Sequence, residues 1–108
     1  MTACSLFVTA SNQAEAEKIS RTIVEERLAA CANVLGPIRS FYWWQGRVQD
    51  EPEIAFLLKT RAELVDRVIA RVKELHSYTV PCVVQWPIEA GNPEYLAWVE
   101  TEATGRSS

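Results

Sequence analysis

The chain has 108 residues, enough for one domain with a real core and too few for two. It is 48% hydrophobic and 23% charged, with a formal charge of −3 and eleven cations scattered among fourteen acids. That balance argues against nucleic acid or an anionic membrane surface as the main partner, and no apolar stretch approaches the ~18 residues of a spanning helix.

The opening segment MTACSLFVTA lacks a basic start and a long apolar run, so it does not read as a signal peptide. Cys4, Cys31 and Cys82 are odd in number and widely spaced, which fits reduced thiols better than a disulfide framework. Together these features predict a cytoplasmic protein.

Residues 4–9 form a short apolar run that predicts a strand. Asn12 follows as an N-cap, with Glu15 three residues on, close to a capping box. Ala16, Ile19, Ile23, Val24 and Leu28 then recur at helical spacing. Residues 31–35 resume a strand, which Gly36-Pro37 bends or bulges. Residues 38–60 read as two strands around a connection near Gly46 to Pro52. In that connection Gln45-Gly46 is a tight-turn or bulge signal, and Gln49 through Glu53 reads as polar loop. Thr60 and Glu63 have capping-box spacing and open a second helix, with Leu64, Val65, Val68, Ile69, Val72 and Leu75 on one face. Residues 80–88 give a fourth strand, entered from Pro81 and ended near Pro87. Asn92-Pro93 starts a third helix over 93–103. One domain is expected over 1–103, with a disordered tail at 104–108.

The order β-α-β-β-α-β-α predicts an α+β fold: a ferredoxin-like βαββαβ antiparallel sheet with an extra C-terminal helix. In that arrangement two helices cover one face of the sheet. Leu6 and Val8 point opposite to Phe7, Ile54, Phe56 and Leu58 opposite to Ala55 and Leu57, and Val83 opposite to Val84 and Trp86. Both faces are therefore apolar, which is expected only when both are buried, and one short helix cannot cover a sheet. The implied partner is a second copy of the chain. Phe41-Tyr42-Trp43-Trp44 splits into Phe41/Trp43 on one face and Tyr42/Trp44 on the other. One pair is expected under the chain's own helices, the other under a neighbouring subunit or beside a cleft.

His76 is the single histidine, at the end of the second helix. It reads either as a group complementing the helix dipole or hydrogen-bonding at an interface, or as a metal ligand. Cys82, at the start of the last strand, reads either as a small buried side chain or as a partner to His76. An imidazole with a thiolate would suit copper(I) or zinc better than magnesium or calcium. Lys59, at the end of the third strand, is a candidate to meet an anionic ligand in an intersubunit cleft with Trp44, Tyr78 and His76; otherwise it is a solvated lysine. Tyr95 and Trp98 read as core or interface anchors. No nucleophile–base–orienter set and no glycine-rich phosphate loop is legible, so no enzyme and no organic cofactor are expected. The aromatics lack the basic context of an RNA-binding sheet.

Several stretches carry a family resemblance in order and in spacing: Glu26 through Asn33, Tyr42 through Gly46, Leu57 through Thr60, His76-Ser77-Tyr78, and Gly91 through Trp98. From residue 5 to about 102 the chain resembles the CutA divalent-cation tolerance proteins. The resemblance implies a compact homotrimer of PII-like architecture, with strands pairing across subunits and clefts between them. It also implies tolerance of copper and other divalent metals. Ligands proposed for some members are a cysteine, where this chain has Val8, a histidine beside the His-x-Tyr motif, where Leu75 precedes His76, and a glutamate, where Cys82 stands; Ser77 replaces a usual proline. The expected function is a homotrimeric metal-responsive protein that binds copper or another divalent ion. The alternatives are a PII-like small-ligand sensor or an enzyme whose site forms between subunits.

Overall fold

Strand β1 (Ala3–Ala10) lies between two partners, because Leu6 and Val8 on one side and Phe7 on the other suit a strand with both faces in use. In the computed structural model, which describes residues 2–106, the remaining elements are α1 (Gln13–Glu25), β2 (Cys31–Trp44), β3 (Arg47–Arg61), α2 (Val65–Leu75), β4 (Val83–Pro87) and α3 (Pro93–Glu102). A 3-10 turn over Ala62–Leu64 precedes α2. The sheet runs β2-β3-β1-β4 and every pairing is antiparallel. This is the expected α+β, ferredoxin-like arrangement with an added third helix.

The core lies between one sheet face and helices α1 and α2. Leu6, Val8, Phe56 and Leu58 from the sheet meet Ala16, Ile19, Ile23, Val65, Val68 and Val72 from the helices. Each large side chain so buried contributes roughly 1.5–3 kcal/mol. Asn12 caps α1, its Oδ1 accepting from Glu15 N–H at 2.8 Å, while Glu15 reaches back to Ser11 N–H at 2.9 Å. The helix stops at Glu25, short of Leu28, where Arg27 takes a φ of 62° and turns the chain into β2. Asn92 caps α3 with Pro93 at the first helical position, as the dipeptide predicts.

Four expectations need correction. The connection between β2 and β3 is only Gln45-Gly46, with φ of 51° and 77°; a two-residue hairpin turn needs positive φ at both positions. The expected polar loop, residues 49–53, is strand instead, paired to β2 through Tyr42↔Gln49 and Ile38↔Glu53. Pro52 is tolerated there because β1 ends at Ala10, opposite Ile54, leaving no strand on that side of β3 to bond.

The second correction is Thr60, which does not cap a helix. It is fully buried at the end of β3 and donates its hydroxyl to Leu28 O at 2.7 Å, and α2 begins only at Val65. The third is the aromatic run. Neither pair lies under the helices, because β2 and β3 run on as a two-stranded arm beyond the end of β1, with Phe41 68% and Trp43 74% exposed. The fourth is the tail. Over 104–106 it is held to the body rather than free, with Gly105 N–H donating to Arg27 O at 2.8 Å and Arg67 Nη2 to Gly105 O at 2.8 Å. Residues 107 and 108 lie outside the described residues.

Candidate functional site

At the root of the arm, the open sheet face and the connection from α2 to β4 enclose a cleft of about 850 Å³. Its walls include Thr9, Tyr42, Trp44, Glu53, Tyr78 and Cys82. Strand alternation explains the convergence. Ile38 faces Glu53 across the ladder, so Tyr42 and Trp44, at even spacing from Ile38, project from the same side of the arm. Thr9 sits opposite Ala55 on that face, two residues along from Glu53. The segment Ser77–Cys82 then folds over the edge and delivers Tyr78, whose hydroxyl donates to Glu53 Oε2 at 2.8 Å.

Glu53 sets the electrostatics of the cleft. Burial pushes the Tyr78 phenol well above its usual range, and the hydrogen bond and charge of Glu53 push it further the same way. The Cys82 thiol, on an exposed residue of the cleft wall, is likewise raised, by partial desolvation first and by the charge of Glu53 second.

His76 stands behind this wall. Its Nδ1 accepts from Tyr78 N–H at 3.0 Å, so Nε2 carries the proton and donates to Thr9 O at 2.7 Å. Its ring packs on Tyr78 with centroids 4.7 Å apart. The adjoining loop is pinned by Glu15, whose Oε2 accepts from Ser77 N–H at 2.7 Å and whose Oε1 accepts from the Ser11 backbone and hydroxyl, each at 2.9 Å. Burial opposes ionisation of Glu15, but the bonds from Ser77 and Ser11 outweigh it and hold the carboxyl at about 2.

Within one chain the candidate residues of the intersubunit cleft lie in different places. Trp44 and Tyr78 line the cleft, and His76 supports it from outside the lining. Lys59 is not there: it sits at the opposite end of β3, six residues or about 20 Å from Glu53. There it donates to Asn33 Oδ1 at 2.7 Å beneath the Tyr95 ring of α3. Tyr95 in turn contacts Cys31 Sγ through its hydroxyl at 3.3 Å and, with Trp98, stays partly exposed.

His76 reaches the Thr9 carbonyl and Cys82 shares the cleft wall with Thr9, but they do not form a ligand set. Both ring nitrogens of His76 are taken, and among the described residues no group of three or more His, Cys, Asp or Glu could hold an ion. The side chains of a single chain therefore do not fit a resident metal. Sequence reading missed Glu53, while Tyr42 entered only as the partner of Trp44 on one strand face. Glu53 shares strand parity with Ala55 and Leu57, but Pro52 and the neighbouring acids made its segment look like loop.

A family model described as CutA1 divalent ion tolerance protein matches residues 4–102. The chain is 43% identical over 95 residues to a divalent-cation tolerance protein CutA from Archaeoglobus fulgidus, covering 88% of this chain and 92% of that one. It is 40% identical over 95 residues to a chloroplastic CutA 1 protein from rice, covering 88% of this chain but 54% of that one. A solved structure described as the periplasmic divalent cation tolerance protein CutA from A. fulgidus superposes with a TM-score of 0.90 at 40% identity, covering 94% of this chain and 98% of that one. These relatives are named for divalent-ion tolerance. They also overturn the cytoplasmic assignment, since chains of this kind are described as periplasmic and chloroplastic. Unpaired thiols and an unremarkable N-terminal stretch do not fix a compartment.

Proposed function

The chain belongs to the CutA1 divalent ion tolerance family, and from that premise we propose that it serves divalent-cation tolerance as a homotrimer. In this reading the copies meet through the open sheet face and the β2–β3 arm. The number three and the PII-like arrangement rest on the family resemblance of the sequence. The observation that supports association is the arm, with Phe41 and Trp43 on one face and Tyr42 and Trp44 on the other, all exposed. An isolated two-stranded ribbon is marginal in water. Val84 and Trp86 extend the apolar surface across the open face, and a patch of that kind marks an interface. Copper or zinc then acts on the assembled protein. His76 takes no part in holding such an ion, because it spends both ring nitrogens within its own chain.

The double substitution Phe41→Ser/Trp43→Ser tests this reading. Sedimentation velocity should show the trimer lost, and cells relying on the chain for growth in raised copper should lose tolerance with it. A double variant that remains trimeric, or a monomer that retains full copper tolerance, contradicts the proposal.

A further inference from the structure

We propose that residues 103–105 form a latch that holds α3 closed over the Cys31–Lys59 end of the sheet, so that α3 opens as a unit when the latch breaks while the four strands stay folded. The latch lies at the end of β3 away from the arm and does not rest on the trimer reading. The helix itself is weakly seated. Among the described residues of α3, Val99 alone is buried, while Tyr95 and Trp98 stay partly exposed. Near its start the helix meets the sheet through the Tyr95 hydroxyl, 3.3 Å from Cys31 Sγ, and the Tyr95 ring, 5.7 Å from Lys59 Nζ. A thiol makes weak hydrogen bonds and an exposed ammonium–ring contact is modest, so this end contributes little.

The other end is held from three elements. The last carbonyls of a helix lack partners within it, and here arginines supply them. Arg27, at the corner between α1 and β2, donates from Nη1 to Glu102 O at 3.4 Å and to Glu102 Oε1 at 3.3 Å. Arg61, ending β3, donates to Ala103 O at 3.5 Å, and Arg67 of α2 donates to Gly105 O at 2.8 Å. Arg27 O in turn accepts from Gly105 N–H at 2.8 Å. Between these bonds Ala103 is fully buried in the core. Gly105 fits because it has no Cβ: at its φ of 74° an added one would lie 2.6 Å from Arg67 Nη1 and 2.8 Å from Leu64 Cδ2. Hydrogen bonds from charged donors are stronger than neutral ones, so the latch holds α3 more firmly than its contacts near Tyr95 do. An element with few buried contacts opens locally, short of global unfolding, and opening here draws Tyr95 away from Cys31 and Lys59.

The test is amide hydrogen exchange of the full chain, read by mass spectrometry on fragments covering α3, β1 and β3. Gly105→Val breaks the turn, and Arg67→Ala removes one bond from an exposed residue of α2 without touching α3. Exchange over α3 should rise about tenfold or more in Gly105→Val and several-fold in Arg67→Ala, with β1 and β3 unchanged. Tyr95→Phe, which loses the contact with Cys31, should leave α3 protected. An α3 that exchanges as in wild type in both latch variants, strands that open together with α3 in both, or Tyr95→Phe opening α3 as far as Gly105→Val overturns the inference. The native mass of the same samples is read separately. A trimer whose α3 ignores the latch removes this inference alone, and a monomer with a latched α3 removes the trimer alone.

Discussion

Replacing Glu15 by Gln removes the one charge that ties the start of α1 to the loop below the cleft. The glutamate accepts from the Ser11 backbone and hydroxyl and from Ser77 N–H at 2.7–2.9 Å. Its carboxyl is held at about 2 against an ordinary value of 4.5. The folded-state pKa is the lower one, so the stabilisation is complete above the unfolded value and is lost as pH falls from about 4.5 toward 2. At 1.36 kcal/mol per unit, the carboxylate contributes about 3 kcal/mol at pH 7, about 1.4 kcal/mol at pH 3 and less than about 0.5 kcal/mol at pH 2. Urea unfolding followed by tryptophan fluorescence, at one fixed protein concentration, should therefore show wild type and Glu15→Gln far apart at neutral pH and converging in acid. A difference that stays constant from pH 7 to pH 3 would refute the assignment of this stabilisation to the ionised carboxyl.

Thr60→Val removes the donor to Leu28 O from a fully buried site and should cost about 1–3 kcal/mol in urea unfolding; no loss would mean that water replaces the hydroxyl. Phe56→Ala opens a cavity in the core beneath both helices and should cost about 3–5 kcal/mol by the same assay. Gly46→Ala places a Cβ on a residue at φ 77° and should cost about 1–2 kcal/mol without changing the core. Calorimetric titration with copper and zinc should give the same affinity for wild type and His76→Ala, since the ring is occupied by Thr9 and Tyr78; loss of a tight site in the variant would show that the imidazole does bind metal.

Much of the fold is written locally. The spacing of Ala16, Ile19 and Ile23, the caps at Asn12 and Asn92, and the alternation around Leu6 and Phe56 each follow from neighbours within a few residues. The arm was harder to read because its outer strand carries Asp50, Glu51 and Pro52, which reads as loop unless the partner strand is known. Thr60 has the spacing of a cap, yet its hydroxyl is claimed by Leu28, 32 residues away. The same holds at the site: His76 binds Thr9, 67 residues earlier in the chain, and Glu53 meets Tyr78 across 25 residues. Such pairings are set by topology, and no local pattern reports them.

The central claim is that the aromatic arm and the open sheet face are covered by other copies of the chain. Native mass measurement of the wild-type protein at micromolar concentration tests it directly. A single species at three times the 12.2 kDa of one chain is expected. A monodisperse monomer would leave Phe41, Trp43, Val84 and Trp86 in water and contradict it.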